Sequence, residues 1–223
     1  MSVAIITGAS RGLGRALATG LADAGWRLVL DARDSTALEA TRAAIGDAAI
    51  AVPGDVTDPA HRAALVAEAD RLGGLDLLVN NAGILGPSPQ PALADYPATA
   101  LREVYEVNVF APLALAQLAL RARVGMIANI TSDAAVEPYP GWGGYGSAKA
   151  AVEALSRVLA AEQPNVLVWA VDPGDLRTRM HQEAFPGEDI TDRPLPETVV
   201  PAFLRLLADR PESGRISLTG VLS

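Results

Sequence analysis

The sequence predicts an α/β fold, a doubly wound parallel sheet of about seven strands in a single domain over residues 1–223. Strand-like and helix-like runs alternate along the chain. Several strands, notably Leu77 to Val79 and Val166 to Val171, are apolar without alternation, as parallel strands covered on both faces must be. No Pro/Gly/Ser-rich linker, repeat or charge block divides the 223 residues, and at 50% hydrophobic they can bury a full core.

The elements follow in order. An apolar, β-branched run at Val3 to Thr7 predicts the first strand; the turn TGASRGLG leads to a helix over Gly12 to Ala24, with Ala16, Leu17 and Leu21 in helical spacing. Further strands are expected near Arg27 to Asp31, Ala49 to Pro53, Asp76 to Asn80, Gly125 to Thr131, Val166 to Val171 and Arg215 to Leu218. Helices are expected between them near Ser35 to Ile45, Asp58 to Leu72, Thr99 to Arg121, Tyr145 to Glu162 and Glu197 to Ala208. The span Asp175 to Pro196, rich in Pro, Asp, Glu and Arg, reads as a substrate lid at about 175–196. In such a sheet ligands bind beyond the carboxyl ends of the strands, where nearly every polar motif of this chain falls.

Composition narrows the function. A net charge of −8 argues against a nucleic-acid surface and against an anionic membrane partner. No apolar stretch is long enough to span a bilayer, and the first strand begins so near Met1 that no room remains for a signal peptide, so a soluble, cytoplasmic protein is expected. With no cysteine there is no thiol catalysis, disulfide or Cys-ligated metal, and no metal site is expected.

Two motifs carry chemistry. Gly8, Gly12 and Gly14 let the backbone turn tightly between strand and helix and approach a ligand, while free N–H groups and the helix dipole favour a pyrophosphate. The second is YGSAK, in which the only lysine of the chain, Lys149, stands four positions after Tyr145. On a helix the two share a face, and a nearby cation is expected to lower the phenol pKa towards working pH. Alone, such a pair is commonplace on solvated helices; its company at the other end of the chain gives it weight.

Together these residues resemble the short-chain dehydrogenases/reductases. The matches come in family order: TGASRGLG at Thr7 to Gly14, GDV at Gly54 to Val56, NNAG at Asn80 to Gly83 and VNV at Val107 to Val109. NITS at Asn129 to Ser132, YGSAK at Tyr145 to Lys149 and PGDLRT at Pro173 to Thr178 complete them. The resemblance implies a Rossmann fold and a nicotinamide-dependent oxidoreductase interconverting a carbonyl compound and its alcohol. It makes Tyr145 the acid/base, Lys149 the group that lowers its pKa and bonds the nicotinamide ribose, and Ser132 the holder of the substrate oxygen. Asn108 would sit in a helix bend and maintain a water relay from Lys149; by its surroundings alone it is equally a buried structural amide.

For the cofactor, the resemblance assigns Gly8, Ser10, Arg11, Gly12, Leu13 and Gly14 to the phosphate turn and Asp55 and Val56 to the adenine. It places Asn81, Ala82 and Gly83 under the adenosine ribose and Leu176 and Thr178 by the carboxamide, and counts Pro173 and Gly174 among the cofactor-binding residues. Asn80 is expected to tie the fourth strand to its neighbours. Ala32 aligns with the family's NAD-selecting acid, while Arg33 and Arg11 stand at basic positions of NADP-preferring members. NADP (NADPH) is therefore expected, with NAD less favoured. Asp31 opposes this, since a one-residue shift would place it against the phosphate. An NAD-linked alcohol dehydrogenase and a non-catalytic dinucleotide-binding sensor or scaffold are the alternatives.

The substrate pocket is expected between the Ser132 to Tyr145 loop, with Tyr139 and Trp142, and the lid around Arg177, His181 and Phe185. Trp142 either stacks on a ring or packs the loop, His181 is expected in solvent more often than on substrate, and His61 is expected on the surface. Asp175 places an acid near the nicotinamide end. The chain end, SGRISLTGVLS, lacks the V-D-G-G tail that supports a tetramer in relatives, so among homo-oligomers a dimer through the helices starting near Thr99 and Tyr145 is favoured.

Overall fold

The computed structural model describes residues 1–219. The last four residues of the chain, and with them the end of the tail that bears on the tetramer, lie outside the described residues. Seven parallel strands form one sheet: β1 (Val3–Ile6), β2 (Arg27–Ala32), β3 (Ala49–Pro53), β4 (Leu77–Asn80), β5 (Met126–Ile130), β6 (Leu167–Asp172) and β7 (Gly214–Ser217). Their order is β3-β2-β1-β4-β5-β6-β7, so the winding reverses between β1 and β4. A crevice at such a reversal is where open α/β sheets take ligands.

Side chains alternate across the strands, and each set meets its own layer of helices. On one face Ala4, Ile6, Leu28, Leu30, Val79 and Trp169 pack with residues of α1 (Gly12–Asp23), α2 (Ser35–Ile45) and α8 (Val200–Asp209). On the other, Val3, Ile5, Val29, Leu78 and Ile127 pack against α3 (Pro59–Arg71) and α5 (Ala111–Arg121). Leu17, Leu21 and Phe203 are fully buried. Each such side chain removed from water stabilises the fold by about 1.5–3 kcal/mol.

The remaining helices are α4 (Ala98–Tyr105), α6 (Gly143–Glu162) and α7 (Arg179–Ala184). The expected single helix from Thr99 to Arg121 is interrupted by a π-turn at Glu106–Phe110, and the lid segment contains α7, which its mixed polar composition concealed. Asp34 and Asp58 cap α2 and α3 by accepting the N–H of Ala37 (3.0 Å) and Ala60 (2.8 Å). Asn80 ties β4 to β5 as expected, its amide donating to Asn129 Oδ1 at 2.8 Å while Asn129 donates to Ser156 on α6 at 2.9 Å.

Candidate active site

The glycine turn lies between β1 and α1, beside the winding reversal. Gly8 and Gly12 hold φ of +67° and +55°, which L side chains rarely adopt. A Cβ on Gly14 would stand 2.3 Å from the Gly8 carbonyl oxygen, so the turn closes only without one. Thr7 binds this turn to the end of β4: its hydroxyl accepts the N–H groups of Asn81 (3.0 Å) and Ala82 (2.9 Å), and Asn81 Nδ2 donates back to the Thr7 carbonyl at 2.8 Å. Arg11 stands at the N-cap of α1 without any side-chain capping bond, which leaves the first-turn N–H groups for an anion. Ser10 and Leu13 are buried in the same turn.

At the end of β2 the structure separates the two residues that the sequence set against each other, Asp31 and Arg33. Asp31 is buried within β2 and pairs with His61 on α3, Nε2 to Oδ1 at 2.6 Å. His61 is thus no surface residue: it shares the buried face of α3 with Leu65 and Ala69, four and eight positions on, and fills the space above Gly54 that a Cβ would claim. Asp31 is spent on that partner, whereas Arg33, two residues on, is exposed. Asp55 accepts the Thr57 N–H at 2.9 Å and hydroxyl at 2.8 Å; the backbone bond leads in holding its carboxyl below the ordinary value, and the charges of Arg33 and His61 add to it. Val56 is buried behind it. Arg11 pairs with Asp34 at 3.0 Å, half-exposed on both sides, which brings it to the same β2–α2 junction as Arg33.

The four expected catalytic side chains come from three elements. Asn108 sits in the π-turn, buried, and grips the backbone of Ile84 twice: it accepts the N–H and donates to the carbonyl, both at 2.8 Å. Lys149, buried on α6, donates to the Ile130 carbonyl at 2.8 Å. A Cβ built on Gly83 would lie 3.2 Å from Asn108 Oδ1 and 3.8 Å from Lys149 Nζ, so both converge on one glycine at the mouth of the crevice. Lys149 Nζ also lies 5.4 Å from the centre of the Tyr145 ring. Ser132, after β5, caps the following turn: its hydroxyl donates to Asp133 Oδ1 at 2.9 Å and accepts the Ala134 N–H at 3.2 Å. Tyr145 packs against Leu85 and Ala134.

Electrostatics here depart from the expectation. Burial pushes the Tyr145 phenol well above its ordinary pKa, with Asp172 and Asp133 adding to it, and burial pulls Lys149 down to about 8. The adjacent ammonium does not outweigh desolvation, because a dry phenol resists becoming an anion more than a weakened cation can offset.

The segment after β6 folds over this group. Pro173 and Leu176 are buried, Gly174 takes φ +72°, and Thr178 lies near the glycine turn, 3.6 Å from a Cβ placed on Gly12. Thr178 Oγ1 caps α7 by accepting the His181 N–H at 3.2 Å. His181 is not solvated: its side chain is 9% exposed, 4.9 Å from the Phe185 ring, with Nδ1 3.8 Å from Asp175 and Nε2 without a partner. Trp142 contacts both Tyr145 (5.8 Å) and Phe185 (5.9 Å) between ring centres, so it packs the loop against α7.

The sequence named Thr7 only as the start of the glycine motif and gave no role to Asp133, Glu153, Asp172 or Arg215, yet all five hold site residues. Glu153, four positions after Lys149, shares its helical face, a spacing that was visible. Asp172 precedes the Pro-Gly pair directly. Arg215 gave no signal, since only the sheet brings it close. The glycine cradle, the uncapped α1 and the exposed Arg33 fit a dinucleotide. Among the described residues no group of three His, Asp or Glu side chains is arranged for a metal ion, and no helix is long and apolar enough to cross a membrane.

Comparison with known proteins agrees with this fold. A family model described as short chain dehydrogenase matches residues 2–189. Sepiapterin reductase of Meriones unguiculatus is 36% identical over 202 residues, which cover 82% of this chain and 77% of that protein. Among solved structures, an alcohol dehydrogenase of the archaeon Thermococcus sibiricus complexed with 5-hydroxy-NADP superimposes with a TM-score of 0.86 at 29% identity, covering 97% of this chain and 95% of that one. A 3-ketoacyl-(acyl-carrier-protein) reductase of Brucella melitensis complexed with NADH gives 0.85 at 27%, covering 97% and 96%.

Proposed function

The chain belongs to the short-chain dehydrogenase/reductase family, and from that premise we propose that it is an NADPH-dependent reductase of a small carbonyl compound, reversible in principle. The observation that carries the cofactor choice is the fate of Asp31: its carboxylate is buried and bonded to His61, while Arg33 stays exposed and Arg11 is held at the same junction. Two guanidinium groups offer charge-assisted bonds to a 2′-phosphate, and Asp31, the strand acid that would repel it, is buried and paired. The related alcohol dehydrogenase complexed with 5-hydroxy-NADP supports the same choice.

In this reading the dinucleotide, when bound, supplies the hydride. Gly8, Ser10, Arg11, Gly12, Leu13 and Gly14 hold its pyrophosphate; Asp55, Val56, Asn81, Ala82 and Gly83 flank the adenosine; Pro173, Gly174, Leu176 and Thr178 border the nicotinamide. Ser132 turns its hydroxyl proton from Asp133 to the substrate oxygen. Tyr145 then delivers its proton to that oxygen as negative charge develops there. Its high pKa keeps it protonated at neutral pH, the state that reduction requires. Lys149 lies beside the ring, and Asn108 anchors Ile84 at the crevice mouth and lines a water path by which the site regains its proton. Trp142, Phe185 and α7 form the lid that excludes solvent.

A second reading, an NAD-linked dehydrogenase, draws on Asp34, an exposed acid beside Arg11. A homodimer is supported by Phe110 and Val158, large apolar residues exposed on the α4–α5 and α6 side of the molecule. Calorimetric titration with both cofactors tests the reading. Tight NADPH and weak NADH are expected, and Arg33→Ala should weaken NADPH by about 1–3 kcal/mol while sparing NADH. Tighter NADH would give the site to the second reading.

A further inference from the structure

Behind the proposed catalytic group lies a buried charge network that the reaction does not use. Glu153 and Asp172 expose only 5% and 10% of their side chains, and a single arginine, Arg215 of β7, joins them. Its Nε donates to Glu153 Oε1 at 3.0 Å, and its Nη2 donates to Asp172 Oδ2 at 2.8 Å and to the Ser132 carbonyl at 3.4 Å. Asp172 spends its other oxygen on the Gly174 N–H at 3.0 Å, and Glu153 Oε1 also accepts the Thr131 hydroxyl at 2.8 Å. Three successive residues at the end of β5 are therefore each held from outside the strand: Ile130 by Lys149, Thr131 by Glu153 and Ser132 by Arg215.

We propose that Arg215 is a positioning residue for carbonyl reduction, whose planar fork fixes the Ser132 backbone and the Pro-Gly turn relative to α6 and neutralises the carboxylates behind Tyr145. A lysine supplies the charge but not two in-plane donors set at a fixed angle. The charged groups that face Tyr145 are Lys149 on its own helix, Asp133 after β5 and Asp172 on β6, the last masked by Arg215; α7 turns the apolar Met180 and Ala184 towards it. Unmasking Asp172 opposes the phenolate, so loss of Arg215 moves the phenol's ionisation to higher pH.

The inference rests on the reductase reading, and the experiment separates the two. With NADPH and 4-nitrobenzaldehyde as the probe, Arg215→Met is expected to lower kcat about 10- to 100-fold at nearly unchanged NADPH affinity and to shift the alkaline limb of the pH–rate profile upward. Arg215→Lys, which retains the charge and with it the fold, lowers kcat while leaving that limb in place. Hydrogen exchange on the ligand-free variants needs no substrate: either substitution should speed exchange in peptides covering 130–135 and 172–176 and spare 3–32. Wild-type kcat and pH profile in both variants, or unaltered exchange in those two segments, overturns the role of Arg215. An active Tyr145→Phe enzyme overturns the reductase reading instead.

Discussion

The two halves of the sheet face the same crevice with different materials. From β3 to β1 the proposed cofactor site is chiefly backbone, a turn of glycines and the uncapped end of α1, with the exposed side chains of Arg11 and Arg33 beside it. From β5 to β7 the proposed catalytic site is side chains: Tyr145 and Lys149 are buried, and Lys149, Glu153 and Asp172 are held by partners on other elements. Recognition of a phosphate needs only close approach and N–H groups, which a short local motif provides. Moving one proton needs groups held within a fraction of an ångström, and that takes support from distant strands.

If the division is right, substitutions on the catalytic side should cut turnover and spare binding. Tyr145→Phe is the sharpest case, with kcat lowered by about 10²–10⁴-fold and NADPH affinity nearly unchanged in titration. A comparable loss of affinity would break the division.

On the cofactor side the opposite pattern is expected. Gly14→Ala forces a Cβ against the Gly8 carbonyl at 2.3 Å and Asn81 Nδ2 at 2.5 Å. Such overpacking costs about 1–3 kcal/mol and should weaken NADPH and NADH alike, with a lower melting temperature. Arg33→Ala, by contrast, should separate the two cofactors. Equal losses from both changes would mean that Arg33 supports the turn and reads no phosphate.

The remaining effect concerns burial on the catalytic side. Lys149 titrates near 8 in the folded chain against an ordinary value of 10.5, so between these values the unfolded chain holds more protons and stability rises with pH. Tyr145 acts in reverse: its raised pKa keeps the folded phenol protonated above 10, where the unfolded chain loses its proton, and stability falls there. Urea midpoints of the ligand-free protein should therefore climb from pH 8 towards 10, and Lys149→Met should flatten that climb. A climb that persists in the variant belongs to another group.

Much of this was legible in residue order. The apolar runs announced buried parallel strands, the glycine spacing announced the turn, and the order of NNAG, NITS, YGSAK and PGDLRT announced the family. These signals are local, set by steric freedom at glycine, by the 3.6-residue helical period and by burial on both faces of a strand. What the tertiary structure alone decided was which partner each charge meets. Asp31 and His61 lie thirty positions apart, Arg215 and Glu153 sixty-two, and their pairing follows from strand order and helix docking. The same holds for Tyr145, whose neighbour Lys149 promised a lowered pKa while burial raised it. Desolvation depends on everything packed around a group, and no window of sequence contains that.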